Sequence, residues 1–396
     1  MLISSDSHVV EPGDLWLERL PKHLRNRAPR AVQDPDNHYW YFEAPEMGRG
    51  VNLTLSRNAG ISTQEVDAAL AADPDAWVGA TGGHDPVTRL ADMWVDDTVA
   101  DVVYPTAGLS LLQYDDVELQ LACIQVYNDW LAEFCAVDSD RIIGIAMIPT
   151  WDIDVGVAEL NRCGDMGLRG AIIWSSPPAT REYSFFSNRY EPLWATAAER
   201  SMPISIHIFG GHQTKGISNY GVTVEGTYYF GITSRDELAQ TTAELIAAGV
   251  FERHPNLRIV AAEGGIDYAA RLEQRLDVTY SGAWGRIDDN LTMKPSEYFR
   301  RNVYLTYIED PIGLNNLRFT GSDHFMWSSD YPHGAATWPR SREFATNEFN
   351  EAGVSEPDRR KLTLTNVAEL YGIDLETVSQ PSPVIADQVA VAPAAN

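Results

Sequence analysis

Lysine, cysteine and long apolar runs are scarce in this sequence of 396 residues. Because only four lysines occur, the 30 basic residues are mostly arginines, and they stand against 56 acidic residues for a net charge of −26. A surface of that sign repels phosphate backbones and anionic membranes, so neither nucleic acid nor a membrane is an expected partner. The lysines are Lys22, Lys215, Lys294 and Lys361.

The three cysteines form no CxxC pair, and the chain carries neither a P-loop nor a GxGxxG sequence. Cys123, Cys135 and Cys163 fall in apolar or helical stretches, which predicts buried thiols in a reducing compartment. No apolar run reaches membrane-spanning length, and a strand beginning at residue 2 leaves no room for a signal peptide. The expected location is therefore the cytoplasm.

Short apolar runs rich in β-branched residues recur along the chain, with helix-length amphipathic segments between them. Strands buried on both faces read as apolar runs, and their alternation with helices indicates parallel βαβ units. Eight such units favour a TIM (β/α)₈ barrel over an open sheet. The predicted strands are 2–8, 100–104, 142–148, 169–174, 203–207, 257–263, 302–306 and 325–330, and helices are predicted over 111–137, 155–166, 191–199, 237–253 and 268–281.

The predicted barrel spans residues 1–375 as one domain. An insertion of about residues 13–95 separates strands one and two, and we interpret it as a small elaboration over the barrel mouth. Its aromatic stretch at 38–42 suits either the wall of a pocket or core packing. The segment 376–396 is rich in Pro, Ala and Val, and it is predicted to be disordered or an arm on a neighbouring subunit.

Residues of metal-ligand type stand at the ends of four predicted strands. Asp6 and His8 lie two apart on the first strand, so their side chains project from the same face. His207 ends the fifth strand, Glu263 the sixth and Asp330 the eighth. The active site of such a barrel is built at these C-terminal ends. Because converging buried carboxylates need a cation or a proton between them, and a divalent metal supplies that charge, the five residues predict a divalent-metal site.

Each of these residues also has a structural explanation when taken alone. His8 and His207 fit core histidines that bond to the backbone. Asp330 fits a loop cap and Glu263 a helix cap. Asp6 fits a residue that orients the neighbours of His8 without binding the ion itself. Four strand ends carrying such residues together favour the metal site. Histidine and carboxylate ligands suit Zn²⁺, the preferred ion, with Mn²⁺ or Fe²⁺ as alternatives.

These residues, in this order, resemble the amidohydrolase-related branch of the metal-dependent amidohydrolase superfamily, the group that includes aminocarboxymuconate-semialdehyde decarboxylase. The resemblance runs from Asp6 to about Gly372 and rests on an ordered set of short motifs. The motifs are RLADM at 89–93, VYPT at 103–106, YNDW at 127–130, DRIIG at 140–144, PNL at 255–257, SDYPH at 329–333 and NVAELY at 366–371.

The family pattern has a metal-binding HxH-like pair on strand one, a histidine on strands five and six, and an aspartate on strand eight. By this resemblance, Asp6 and His8 match the pair. His207 matches the strand-five ligand and Asp330 the strand-eight aspartate, whereas Glu263 replaces the strand-six histidine. Because no lysine lies near the end of strand four, a lysine-bridged pair of metals is excluded. One ion is favoured, and a carboxylate-supported pair stays open.

The resemblance implies a metal-dependent enzyme, and hydrolysis of a small amide, ester or lactone is the leading hypothesis. Metal-activated water would attack the carbonyl, with Asp330 as general acid/base and Glu263 orienting water or sharing that task. A glutamate on strand six favours hydrolysis, because decarboxylases of this branch look dependent on the histidine. The alternatives are nonoxidative decarboxylation of an aromatic or unsaturated carboxylic acid, O₂-dependent hydroxylation at a dinuclear iron or iron/manganese site, and a silent subunit that supports an active paralogue.

Three further residues are predicted to contact a small-molecule substrate. Trp174 ends strand four, His212 lies in the glycine-rich loop after strand five, and His333 follows Asp330 by three residues. The family resemblance implies a homodimer, with a hetero-oligomer containing a paralogue as the alternative.

Overall fold

The computed structural model describes residues 1–45, 48–212, 224–282 and 291–386. Eight of its strands are parallel and form one sheet, in which successive strands along the barrel are neighbours. Helices surround these strands, and the fold is the nearly closed TIM barrel predicted from the sequence. The parallel strands are β1 (Leu2–His8), β5 (Thr98–Tyr104), β6 (Ile142–Met147), β7 (Gly170–Ile173), β8 (Ile204–His207), β9 (Ile259–Ala262), β10 (Val303–Tyr307) and β11 (Phe325–Trp327).

A second, antiparallel sheet lies in the insertion between β1 and β5. Its strands are β2 (Arg30–Gln33), β3 (Trp40–Ala44) and β4 (Gly48–Asn52), in that order. The insertion has its own small core, in which Tyr39 packs with Val66 and Leu70. The aromatic stretch at 38–42 therefore serves core packing at Tyr39 and also at Phe42, which is 3% exposed.

Helices fill the connections between the strands. Within the described residues the α-helices are Leu15–Arg19, Thr63–Ala72, Pro86–Val95, Val117–Cys135, Ile153–Asp165, Glu191–Arg200, Val224–Ala247, Val250–Arg253, Ala269–Ser281, Pro295–Asn302, Pro311–Asn315, Leu317–Thr320, Ser341–Ala352, Glu356–Arg360, Asn366–Tyr371 and Leu375–Val378. Short 3₁₀ segments are Arg25–Arg27, Leu55–Arg57, Ala107–Gln113 and Asn188–Tyr190, and Lys361–Thr365 is a π-helical turn.

Local side-chain chemistry sets where several of these helices begin and end. Asp116 caps the helix Val117–Cys135 by accepting the Leu119 N–H at 2.9 Å. Gly249, with φ of +69°, separates Val224–Ala247 from Val250–Arg253, because glycine adopts the left-handed backbone at little cost. A single helix predicted over 237–253 is thus two helices, the first of which begins earlier, at Val224.

The chain divides into two compact units. The first comprises residues 1–145, 328–346 and the described residues from 367 onward. In it β1 is buried along its whole length and pairs with β5. The buried Arg89 joins these strands to the insertion, since its guanidinium donates to Asp101 Oδ2 at 3.0 Å, to Ser7 Oγ at 2.7 Å and to the His8 carbonyl at 2.7 Å.

The end of the described chain is held by the first unit. Arg141, directly before β6, donates to the carbonyl oxygens of Thr377 at 2.9 Å and Gln380 at 2.6 Å. Ser382 donates to Asp138 Oδ2 at 2.6 Å. The segment up to residue 386 is therefore packed, whereas residues 387–396 of the predicted tail lie outside the described residues.

The second unit comprises residues 146–327 and 347–366. It contains β7 to β11, which are fully buried except for one partly exposed residue of β10. All three cysteines of the chain are buried, as predicted. Within the described residues, no helix is long and apolar enough to span a membrane.

We expect the stability of the fold to fall in acid through His324, which precedes β11. Burial lowers the pKa of His324 from 6.5 to about 4, because the interior disfavours the charged imidazole. Between these values the unfolded chain binds a proton that the folded chain does not. This contribution to stability is therefore present above pH 6.5 and is lost as the pH falls toward about 4, with a slope of at most about 1.4 kcal/mol per pH unit.

Chemical denaturation of the wild type and His324→Gln between pH 4 and 7 measures this effect. The substitution should reduce the loss of unfolding free energy on acidification. The matched control is His23→Gln, whose side chain is 66% exposed and which should follow the wild type. Identical pH profiles for the wild type and His324→Gln would contradict the prediction.

Candidate metal centre

His8 stands at the end of β1, and a backbone contact sets its tautomer. Its Nδ1 lies 3.0 Å from the Pro105 carbonyl oxygen, which can only accept, so Nδ1 carries the hydrogen. Nε2 then carries the lone pair. That atom lies 3.6 Å from Asp6 Oδ1 and 3.6 Å from Asp330 Oδ1. All three side chains are at most 3% exposed.

The donor set around His8 fits a divalent cation. A ring lone pair and two buried carboxylates repel one another unless a positive charge lies among them. Ligand atoms that share one ion at about 2.1 Å lie about 3–4 Å apart, which the two 3.6 Å separations satisfy. Hydrogen bonding of the other ring nitrogen to a carbonyl is the usual orientation of a metal-bound histidine.

Backbone contacts hold Asp330 next to β1. The Asp330 N–H donates to the Asp6 carbonyl at 3.1 Å, and the Ser329 N–H donates to Ser4 Oγ at 2.9 Å. Asp330 adopts a φ of +55°, a left-handed conformation that aspartate tolerates better than most residues. The turn directs the Asp330 carboxylate toward His8, as the sequence predicted for two ligands of one ion.

His333 joins this group through the Asp330 carboxylate. Its Nδ1 lies 2.9 Å from Asp330 Oδ1, and its ring stacks on that of His8 at 4.1 Å between centroids. Ligand-type atoms of His8, Asp330 and His333 all lie within 4.8 Å of one another. The sequence predicted His333 as a substrate contact, and the structure additionally makes it the partner of the catalytic candidate Asp330.

Thr106 determines which His333 nitrogen carries hydrogen. The Thr106 hydroxyl donates its single proton to the Val9 carbonyl at 2.7 Å, so it accepts from His333 Nε2 at 3.0 Å. His333 Nδ1 then faces Asp330 Oδ1 at 2.9 Å, which is within hydrogen-bond distance. The imidazole and the carboxylate are thus placed to exchange a proton.

The second unit contains a similar pair. His207, the last residue of β8, has its Nδ1 2.8 Å from the Ile208 carbonyl oxygen, which again leaves the lone pair on Nε2. His207 Nε2 lies 3.6 Å from Glu263 Oε2. Glu263 directly follows β9 in a left-handed conformation, φ +59°, and its N–H donates to Thr306 Oγ1 at 2.7 Å. This histidine and glutamate thus repeat the arrangement of His8 and its carboxylates.

Trp174 and His212, the other predicted substrate contacts, pack against each other in the second unit. Their rings meet edge to face at 5.1 Å between centroids, and the His212 N–H donates to the Ser176 carbonyl at 2.9 Å. Trp174 is only 3% exposed. A role in substrate binding stays a prediction for both residues.

Sequence reasoning missed the residues that orient the histidines. Thr106 and Pro105 were noted only as part of the VYPT motif, and Glu11 was not singled out. Their signal is weak because Pro105 acts through its carbonyl, which every residue type possesses. Glu11 is a buried acid three residues after His8, within the segment DSHVVEP at residues 6–12. Its place in that segment is the signal that could have identified it.

Buried histidines and carboxylates at the strand ends of a TIM barrel define a class of protein, the metal-dependent enzymes of the amidohydrolase superfamily. The chain belongs to the amidohydrolase family, whose sequence model matches residues 34–373. The resemblance recognised in the sequence motifs is thereby confirmed.

Several relatives of this chain are decarboxylases. The γ-resorcylate decarboxylase of Rhodococcus jostii strain RHA1 is 30% identical over 273 residues, which cover 62% of this chain and 75% of that protein. The enzyme of the same description from Rhizobium sp. strain MTP-10005 is 26% identical over 266 residues, with the same coverage of 62% and 75%.

Solved structures share the fold. An amidohydrolase from Mycobacterium avium subsp. paratuberculosis K-10 has a TM-score of 0.76 and 23% identity, covering 94% of this chain and 99% of that one. A dihydroxybenzoic acid decarboxylase from Polaromonas sp. JS666, with bound manganese and 2-nitroresorcinol, has a TM-score of 0.60 and 19% identity, covering 94% and 97%.

We expect protein purified without added metal to contain one divalent ion per chain, measured by elemental mass spectrometry. Chelation should lower the melting temperature, and Mn²⁺ or Zn²⁺ should restore it, because an ion that binds only the folded state stabilises it. At a thousandfold excess over Kd the gain is about 4 kcal/mol.

His8→Gln removes a candidate ligand and should abolish the thermal shift. The exposed His23→Gln is the control and should retain it. A full shift in His8→Gln would show that the ion binds elsewhere, and two redox-active ions per chain would favour the dinuclear alternative.

Proposed function

We propose that the protein is a divalent-metal-dependent, nonoxidative decarboxylase of a hydroxylated aromatic carboxylic acid. The observation that carries the proposal is the 30% identity to a γ-resorcylate decarboxylase across 75% of that enzyme. The 2.9 Å contact between Asp330 and His333 is consistent with it, since the reaction consumes a proton and this pair is placed to deliver one. A structural relative that is a 2,6-dihydroxybenzoate decarboxylase complexed with that acid suggests the substrate class.

The proposed ligands of the ion are Asp6, His8, His207, Glu263 and Asp330, the set predicted from the sequence. The assignment of all five residues to one ion is the prediction made from their positions at the strand ends of the sequence. Manganese in the Polaromonas structure makes Mn²⁺ a candidate beside the Zn²⁺ preferred from the sequence. Both ions accept imidazole and carboxylate ligands.

Decarboxylation needs little more than a proton at the correct carbon. A proton adds to the ring carbon that bears the carboxylate, the bond to the carboxylate then breaks and restores the aromatic ring, and CO₂ leaves. A bound divalent ion would supply a positive charge that chelates the substrate carboxylate and the neighbouring oxygen. Side chains of the protein would hold and deliver the proton.

Asp330 is the proposed proton donor, and His333 holds its proton in place. The 2.9 Å contact between His333 Nδ1 and Asp330 Oδ1 lets the imidazole return a proton after each turnover. Thr106, which is 4% exposed, fixes the imidazole from the other side. Glu263 beside His207 can share the acid–base task, as the sequence predicted.

Hydrolysis, the leading hypothesis from the sequence, has less support. It was favoured because Glu263 occupies the position of a family histidine. The two bacterial relatives described above are nevertheless decarboxylases, which matches the first alternative instead. The ligand set itself serves both reactions, so the choice between them rests on the relatives.

We expect metal-loaded enzyme to release CO₂ from 2,6-dihydroxybenzoate or from other salicylate-type acids. The measurement is loss of the acid and appearance of the phenol by liquid chromatography, with CO₂ quantified in parallel. A panel of esters and lactones tested by pH-stat is the comparison. Hydrolysis of that panel without release of CO₂ from any acid would contradict the proposal and restore the hydrolase hypothesis.

Asp330→Asn should lower kcat for decarboxylation by about 1,000-fold, because it removes the proton donor while preserving the shape of the side chain. The matched control is Asp323→Asn, whose carboxylate is 65% exposed and pairs with Lys361. That variant should stay within about twofold of the wild type, as surface substitutions usually do. Comparable activity of Asp330→Asn and Asp323→Asn would exclude Asp330 as the acid.

A further inference from the structure

A buried carboxylate that belongs to none of the assigned roles lies close to the candidate metal centre. Glu11, three residues after His8, is 3% exposed. Its Oε2 accepts the Ala107 N–H at 3.0 Å and its Oε1 accepts the Gly108 N–H at 2.9 Å. Each carboxylate oxygen thus holds one backbone group of residues 105–108, the loop that leads from β5 into the first residues of the 3₁₀ segment Ala107–Gln113.

The same loop contacts the rings of His8 and His333. The Pro105 carbonyl accepts from His8 Nδ1 at 3.0 Å, and Thr106 Oγ1 accepts from His333 Nε2 at 3.0 Å. Pro105 and Thr106 immediately precede the two N–H groups that Glu11 holds. A shift of this loop would therefore move the hydrogen-bond partners of both imidazoles together.

Burying a carboxylate at position 11 costs desolvation free energy, and packing alone does not explain why an acid stands there. Burial raises the pKa of Glu11, because the interior disfavours the charged form, while backbone N–H groups of the loop oppose that shift. A neutral side chain would avoid the desolvation but could not accept two N–H groups through two equivalent oxygens. This geometric need accounts for an acid at position 11.

We propose that Glu11 is a positioning residue for the metal centre, which fixes the loop 105–108 so that His8 presents Nε2 to the ion and His333 presents Nδ1 to Asp330. The inference rests on the proposed metal site. Glu11 touches neither the ligands' coordinating atoms nor the proton of Asp330. It acts through Pro105 and Thr106.

Glu11→Gln tests the proposal with almost no change in volume. The amide offers one accepting oxygen, and its NH₂ group would face a backbone N–H, so at least one of the Ala107 and Gly108 bonds is lost. Loss of a partner that orients a metal ligand typically weakens metal affinity by 10–100-fold. We expect an increase of about that size in the Kd for Mn²⁺, measured on apoprotein by competition with a fluorescent chelator.

The matched control is Asp96→Asn. Asp96 is also a buried carboxylate, 4% exposed, and it accepts the Ser341 N–H at 2.8 Å. It precedes β5, whereas the loop 105–108 follows that strand, so the seven residues of β5 separate the two sites. Asp96→Asn should keep the wild-type Kd for Mn²⁺ within about twofold, whatever it does to the melting temperature.

The possible results separate this inference from the proposed metal site. If wild-type apoprotein binds no Mn²⁺ or Zn²⁺, the metal site itself is wrong. If the wild type binds the ion and Glu11→Gln binds it equally well, the role of Glu11 is overturned. An equal loss in Asp96→Asn also overturns it, since the effect would then reflect general destabilisation.

A second variant keeps the test decisive should Glu11→Gln fail to fold. Glu11→Asp preserves the charge but withdraws the carboxylate by one methylene group, so the two N–H groups of the loop are no longer both within reach. We expect about tenfold weaker Mn²⁺ binding, together with a fall in kcat at saturating metal that exceeds any change in KM. Unchanged Mn²⁺ affinity in Glu11→Asp would overturn the inference.

Discussion

The hydrogen bond from His8 to the Pro105 carbonyl is the interaction on which the geometry of the candidate site depends. It places the ring hydrogen on Nδ1 and thereby gives Nε2 a lone pair, directed at the carboxylates of Asp6 and Asp330. Three electron-rich groups stay buried together only with a cation or a proton among them. One backbone carbonyl thus sets the orientation that makes these three side chains a donor set suited to a cation.

Much of the barrel could be predicted because its periodic features lie in the sequence itself. The predicted strand at 2–8 coincides with β1, and the other seven predicted strands overlap observed ones. The antiparallel sheet of the insertion was missed, since β2 and β4 are short and largely polar or glycine-rich and carry no apolar alternation. Such strands are stabilised by pairing with β3, and the sequence of each strand alone does not indicate that pairing.

The part of the candidate site that is formed by side chains at strand ends could be predicted from the sequence. Asp6, His8 and Asp330 were placed together by strand position and residue type, and the structure places them in contact range. The residues that orient them act through main-chain atoms or through a loop, and no residue type signals that. The reaction was harder to predict, because hydrolysis and decarboxylation call for similar ligands. Glu263 alone favoured hydrolysis, whereas the relatives support the decarboxylase alternative.

The anchoring of the chain end by Arg141 has a practical consequence for handling the enzyme. Arg141 directly precedes β6, and its guanidinium donates to the Thr377 and Gln380 carbonyl oxygens, while Asp138 accepts from Ser382. Removing residues 377–382 would leave these buried charged groups without those partners, which costs stability. A shortened version of the enzyme should therefore retain the chain at least through Ser382.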